Sequence, residues 1–114
     1  MMNKRKLAEK RNDTQRLYHV PGMANITNRK RNAVFISPSN SLEHEIGKMK
    51  VCYELRKEKM QFITEAVCNK TQKRRDVVCL DDGMIFEIET DKKRAERFKD
   101  QKGVVVIKLW KEVS

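Results

Sequence analysis

The chain has 114 residues, of which 37% are charged and 39% are apolar, and its formal net charge is +10. This length predicts one domain, and the apolar fraction argues against full disorder. A charge this positive on a small protein indicates an anionic partner, either nucleic acid or an anionic membrane surface.

The positive charge is concentrated near the N-terminus. Residues 1–31 carry nine Lys or Arg and two acidic residues, so 9 − 2 gives +7 of the total +10. Residues 3–18 suit a polar helix, but they offer too few apolar positions to pack well. We therefore predict a basic N-terminal arm over residues 1–40 and a folded core over residues 41–114.

Three widely spaced cysteines, Cys52, Cys68 and Cys79, show no CxxC pair and no zinc-finger spacing to the histidines. They are typical of reduced thiols in a cytosolic protein. The basic N-terminal residues lack the apolar run of a signal peptide, and no other apolar run is long. We therefore expect a soluble, cytoplasmic protein with no membrane partner.

A helix is predicted from Ser41, a suitable N-cap, to about Lys59. Four apolar residues at helical spacing are expected to face the core: Leu42, Ile46, Met49 and Tyr53. Residues 61–68 (QFITEAVC) then predict a strand because β-branched and aromatic residues dominate.

The rest of the core is predicted as a hairpin, a helix and a final strand. A basic loop (69–75) leads into a hairpin around Asp82-Gly83. A helix over 91–102 and a strand over 104–110, expected to be central, follow. The fold class is thus α/β, with a small mixed sheet flanked by helices in the order helix-strand-strand-strand-helix-strand.

The hairpin predicts a cluster of carboxylates. A two-residue turn pairs Asp76 with Glu89 and places Glu87 on the same face. Like charges across strands cost about 0.2–1 kcal/mol per pair, and oxygen-rich clusters suit Mg²⁺ or Mn²⁺. The alternative is structural: acidic strand ends in water, with Glu87 paired to a basic loop residue.

The predicted first core helix adds Glu45, which lies at the border of the apolar stripe and points along the sheet toward the cluster. The alternative for Glu45 is an acid that serves the helix dipole. Glu65, on the first predicted strand, is a weaker candidate with the same ambiguity.

This ordered set resembles the PD-(D/E)xK nuclease superfamily over residues 41–110. The matching features are a helix with Glu45, a strand, Asp76 opening a hairpin, and Glu87-Ile88-Glu89 before a helix and strand. The nearest-looking members are small archaeal Holliday junction resolvases and related restriction-endonuclease-like proteins. Two positions depart from the motif: Arg75 replaces its proline, and Glu89 replaces its lysine.

The resemblance implies a Mg²⁺- or Mn²⁺-dependent DNA endonuclease, with branched or junction DNA as a candidate substrate, and a homodimer. It implies Asp76, Glu87, Glu89 and Glu45 as catalytic residues, with the first three as metal ligands. Lys92 or Lys93 is a candidate for the basic role of the missing lysine, although a solvated helix start is the alternative.

Phosphate contacts are expected from the basic loop and the arm. The residues concerned are Lys70, Lys73, Arg74, Arg75, Arg29, Lys30 and Arg31. Two further functions stay open: a non-catalytic DNA-binding protein on the same fold, and an RNA-processing or ribosome-associated protein. Few aromatic residues are available for base stacking, which counts against the RNA function.

Overall fold

The structure, a computed structural model, describes residues 3–23 and 29–109. Its helices are α1 (Lys4–Arg16), α2 (Leu42–Lys57) and α3 (Lys92–Ala95), with a 3₁₀ turn at Glu96–Phe98. Its strands are β1 (Tyr18–His19), β2 (Phe62–Cys68), β3 (Arg74–Cys79), β4 (Ile85–Glu89) and β5 (Val104–Lys108). The α/β class and the predicted order of the core elements are confirmed.

Within the described residues the strands form one sheet in the order β1-β2-β3-β4-β5. Neighbouring strands are antiparallel except β4 and β5, which pair in parallel through the α3 crossover. The sheet is therefore mixed, as the sequence predicts. The prediction that the last strand is central is wrong, because β5 lies at the edge of this sheet.

Two apolar clusters pack on the sheet. The first contains Cys52 and Leu55 of α2 with Phe62, Val77 and Ile88 of the strands. The second contains Tyr18, Ile63, Ala66, Val78 and Leu80. Val77 and Val78 fall in different clusters because successive strand residues point to opposite faces.

The α2 helix begins at its N-cap Ser41, as predicted, and its Oγ accepts a hydrogen bond from the His44 N–H. The predicted core face of α2 is wrong, however. The stripe from Leu42 to Tyr53 is exposed, and the buried side instead carries Glu45, Lys48, Cys52 and Leu55. Apolar spacing misled the prediction because a buried ion pair occupies half of the packed face.

Part of the segment predicted as an arm contributes to the sheet. Tyr18 pairs with Cys68, and Arg11 forms a salt bridge of 2.8 Å with Asp81. Thr64 accepts a hydrogen bond from the Phe35 N–H, so the chain before α2 lies along β2. The described residues of the N-terminal region thus support the core by specific contacts.

Gly47 lets α2 approach the sheet closely. A Cβ at this position would lie 3.0 Å from Cγ2 of Ile88 and 3.3 Å from Cδ1 of Leu109. The absence of a side chain therefore sets the distance between α2 and β4.

Lys48 ties α2 to the rest of the fold and is fully buried. Its Nζ lies 2.7 Å from Glu45 Oε2 and 2.8 Å from Glu65 Oε1, and it donates to the Phe35 carbonyl at 2.6 Å. Burial disfavours the charged ammonium, but the bonds to Glu45 and Glu65 outweigh it and raise the pKa of Lys48.

Replacing Lys48 should destabilise the protein strongly. Lys48→Met leaves two buried carboxylates without their cation, so we expect a loss of about 3–5 kcal/mol in the free energy of unfolding. Urea denaturation measures this change. The control, Lys50→Met, alters an exposed lysine of the same helix and should change stability by less than about 0.5 kcal/mol. Equal effects would contradict the structural role of Lys48.

Candidate functional site

A cleft of about 660 Å³ opens where β3 and β4 meet the N-terminal end of α2. Its lining includes one histidine, four carboxylates and five cationic side chains. These are His44, Glu65, Asp76, Glu87, Glu89, Lys73, Arg74, Arg75, Arg94 and Arg97. This density of ionisable groups marks the cleft as the candidate functional site.

The hairpin pairing differs from the prediction. Val78 pairs with Ile85, and Cys79 donates its N–H to the Met84 carbonyl, so the turn holds four residues rather than two. Continuing this register places Asp76 across from Glu87, not Glu89. The predicted pairing of Asp76 with Glu89 is therefore wrong. Asp82 stabilises the longer turn by accepting the Met84 N–H.

Asp76 bridges two strands and a helix. Its Oδ2 accepts the Ile88 N–H at 2.8 Å, and the same oxygen lies 3.2 Å from Nε2 of His44. The backbone pairs of β3 and β4 are Val77 with Phe86 and Val78 with Ile85. The carboxylate of Asp76 thus takes over the link between the strands where the cleft begins.

Glu87 is 4% exposed and lies next to Asp76. Burial, together with the charge of Asp76 and a hydrogen bond to it, raises the pKa of Glu87 to about 8. Arg75, whose Nη1 lies 3.4 Å from Glu87 Oε1, opposes this shift but does not cancel it. The Asp76–Glu87 pair is therefore a crowded acidic centre that a cation would relieve.

Glu45 does not line the cleft but supports it. Burial opposes its ionisation, while hydrogen bonds from Lys48, the Ser37 N–H and His44 bring the pKa of Glu45 down to about 2. His44 Nδ1 lies 2.8 Å from Glu45 Oε1, so the imidazole stands between Glu45 and Asp76.

Glu89 lines the cleft in an ion pair. Its Oε1 lies 3.4 Å from Nη2 of Arg97, and its side chain is largely buried. Of the basic residues after β4, Arg94 and Arg97 line the cleft, whereas the predicted Lys92 and Lys93 are not part of the lining. The basic group near Glu89 is therefore an arginine from the 3₁₀ turn.

Among the residues predicted to contact phosphate, three line the cleft: Lys73, Arg74 and Arg75. Lys70 and Arg29 are exposed outside the cleft lining. Lys30 and Arg31 serve the fold. Lys30 is buried, and Arg31 is hydrogen-bonded to the side chains of Gln15, Gln61 and Asn12.

In residues 3–23 and 29–109, no three His, Cys, Asp or Glu side chains are arranged to hold a metal ion. The donor set still fits a hard cation in part. Mg²⁺ binds through as few as one or two carboxylates, with water and phosphate oxygens completing its shell. Asp76 and Glu87 offer such a pair, with Arg75 Nη1 3.4 Å from Glu87. Glu45 and Glu89 are paired with Lys48 and Arg97.

Sequence reasoning overlooked His44, Arg94 and Arg97 as site residues. A signal for His44 was present in the spacing of Glu45, Lys48, Cys52 and Leu55, which defines a second helical stripe. That stripe places His44 toward the sheet. The positions of Arg94 and Arg97 depend on α3 ending at Ala95 and a 3₁₀ turn following it, whereas the sequence predicted one helix over 91–102.

No protein-family model, curated protein or solved structure matches this chain. No helix within the described ranges is both long and apolar enough to cross a membrane.

Glu87 should give stability a marked pH dependence in metal-free buffer. Its pKa is raised in the folded state, so its stabilising effect is full below about pH 4.5 and is lost as pH rises to about 8. The free energy of unfolding of Glu87→Gln, relative to that of wild type, should therefore rise by roughly 2–5 kcal/mol as the pH increases from 5 to 8. Thermal or urea unfolding across this range, with EDTA present, measures the difference.

The matched control is Glu58→Gln, which alters an exposed glutamate just beyond α2. Its stability profile should run parallel to that of the wild type. If the Glu87→Gln profile is also parallel, the protonated buried carboxyl is not a property of this site.

Proposed function

We propose that this protein is a metal-dependent DNA endonuclease of the PD-(D/E)xK type, with Mg²⁺ or Mn²⁺ as cofactor. The observation that carries the proposal is the Asp76–Glu87 carboxyl pair in a cleft rimmed by cationic side chains. The pairing brings together the two motif acids that the resemblance implies. Because cysteines 52, 68 and 79 are free thiols, we also propose a cytoplasmic location.

In this proposal Asp76 and Glu87 hold the cation, and Glu89 stays a candidate ligand positioned by Arg97. A bound divalent cation supplies charge neutralisation at the phosphate and lowers the pKa of a water molecule. His44 fixes the Asp76 carboxylate from the helix side, since its Nε2 lies 3.2 Å from Asp76 Oδ2. The backbone N–H of Ile88 fixes the same oxygen from the strand side.

The phosphate backbone would lie against Lys73 and Arg94. Both side chains are exposed and line the cleft, and neither forms an ion pair with a carboxylate of the described chain. Arg74, Arg75 and Arg97 each lie within 4 Å of an internal carboxylate. The two uncommitted cations therefore offer the most accessible positive charge for phosphate.

Cleavage should depend on Asp76 and on a divalent cation. We expect wild-type protein with Mg²⁺ or Mn²⁺ to cut at least one of branched, linear duplex or single-stranded DNA, and EDTA to stop cutting. Asp76→Asn should reduce the rate at least about 100-fold, equivalent to roughly 2.7 kcal/mol in the transition state. Gel assays of end-labelled substrates measure both effects.

Asp82→Asn is the control for cleavage, because Asp82 is exposed in the hairpin turn and lies outside the cleft lining. It should retain the wild-type rate. Equal activity in both variants would remove Asp76 from the site. A wild type inactive on every DNA with both metals would favour the non-catalytic function.

The salt dependence of DNA affinity should show the separate contributions of Lys73 and Arg94. Lys73→Ala and Arg94→Ala should each reduce the slope of log affinity against log salt by about 0.9, the value for one phosphate contact. Fluorescence anisotropy of labelled DNA between roughly 50 and 200 mM salt measures this slope. Lys102→Ala, an exposed lysine outside the cleft, should leave the slope unchanged. Equal slopes in all three variants would place the DNA elsewhere.

A non-catalytic DNA-binding function is the second candidate. It is favoured by the internal ion pairs, because Glu45 and Glu89 are bonded to Lys48 and Arg97 rather than left open as metal ligands. Under this function the salt slope would still depend on Lys73 and Arg94, but no DNA would be cut with either metal. The cleavage assay separates the two candidates.

A further inference from the structure

The outward face of α2 carries a continuous apolar stripe. Its residues are separated by four, three and four positions, and their side chains are between 46% and 75% exposed: Leu42, Ile46, Met49 and Tyr53. At 100° per residue they lie along one line of the helix, away from the buried side that carries Lys48. The stripe is about 17 Å long.

This clustering is not scattered surface exposure. Within the described residues, six large hydrophobic side chains are exposed, and four of them belong to this single stripe; the other two are Leu17 and Ile36. A spacing of four, three and four is that of the a and d positions in a coiled coil. Such a narrow seam is complementary to a second helix with the same spacing, and this chain supplies one in every copy.

The charges beside the stripe select the orientation of the second helix. Glu43 and Lys50 are exposed on the same flank of α2, on the side away from the sheet. In an antiparallel pair centred between Ile46 and Met49, Glu43 of one copy lies beside Lys50 of the other, and this contact occurs twice. A parallel pair would instead place this flank against the sheet-facing flank of the other helix, so the Glu43–Lys50 contacts would not form, and the helix dipoles would be aligned unfavourably.

We propose that α2 binds α2 of a second copy in an antiparallel, two-fold symmetric pair through this stripe. The interface is isologous, so each copy contributes the same four apolar residues. A single-helix seam is smaller than the roughly 800 Å² per partner of a standard interface. We therefore expect a dissociation constant on the order of 100 µM for the isolated protein.

Analytical ultracentrifugation of the full chain tests this pairing, in roughly 0.3 M salt to screen the repulsion between two basic copies. Wild type should change from monomer to dimer as its concentration rises from about 10 µM to 1 mM. The double substitution I46D/M49D should keep the protein monomeric while its circular dichroism spectrum stays that of the wild type, because both side chains are exposed. Leu17→Asp, which alters an exposed apolar residue away from α2, should dimerise like wild type.

A charge exchange tests the orientation. Glu43→Lys should weaken dimerisation about threefold to fivefold, because two opposite-charge contacts become like-charge contacts. The double substitution E43K/K50E should restore the wild-type constant. A wild type that stays monomeric to about 1 mM, or a dimer that survives I46D/M49D, would overturn the interface. A double variant no better than Glu43→Lys alone would overturn the antiparallel arrangement. None of these outcomes depends on DNA cleavage.

Discussion

The carboxylate of Asp76 is the constraint on which the candidate site depends. A single oxygen, Oδ2, accepts the Ile88 N–H and contacts Nε2 of His44. It therefore joins β3, β4 and α2 at the point where the strands separate to form the cleft. A buried backbone N–H needs an acceptor, so this side chain supplies what a continued ladder would have supplied. The opening of the sheet and the position of the helix are consequences of the same contact.

Most carboxylates around the cleft are paired with a cation of the same protein. Lys48 serves Glu45 and Glu65, Arg75 serves Glu87, and Arg97 serves Glu89. These pairs place carboxylates close together without an external cation. They also divide the basic residues of the cleft into those that stabilise the fold and those exposed to a ligand. A net charge of +10 alone would not make this distinction.

The sequence predicted the order of the helices and strands well, but it predicted strand register and the buried side of α2 less well. The hairpin turn shows why: Asp82-Gly83 indicated a turn, but hydrogen bonds from Cys79 to Met84 and from Gly83 to Cys79 made it four residues long. That change of register by two positions preserved which side chains share a face, so Glu87 stayed near Asp76 even though Glu89 moved away. Local residue preferences do not determine such a register.

The prediction of the buried face of α2 failed for a different physical reason. Apolar spacing predicts the buried side of a helix only when the partner surface is apolar. Here the sheet presents Glu65, which takes its left-handed backbone conformation at φ 50° and meets Lys48. The buried polar pair was therefore invisible to an argument based on hydrophobic periodicity. His44 was missed with it, because its position follows from that buried side.

The missing side chain of Gly47 bears on how this protein would respond to engineering. Exchanging a helical glycine for alanine usually gains up to about 1 kcal/mol, because it restricts the unfolded chain and favours the helix. At Gly47 the added methyl would press on Ile88, which is fully buried and has little room to move. Relief would come by lifting the helix a few tenths of an ångström, which lengthens the 3.2 Å contact between His44 and Asp76. A glycine-to-alanine substitution that stabilises other helices would therefore, at this position, restrict the unfolded chain but disturb the geometry of the cleft.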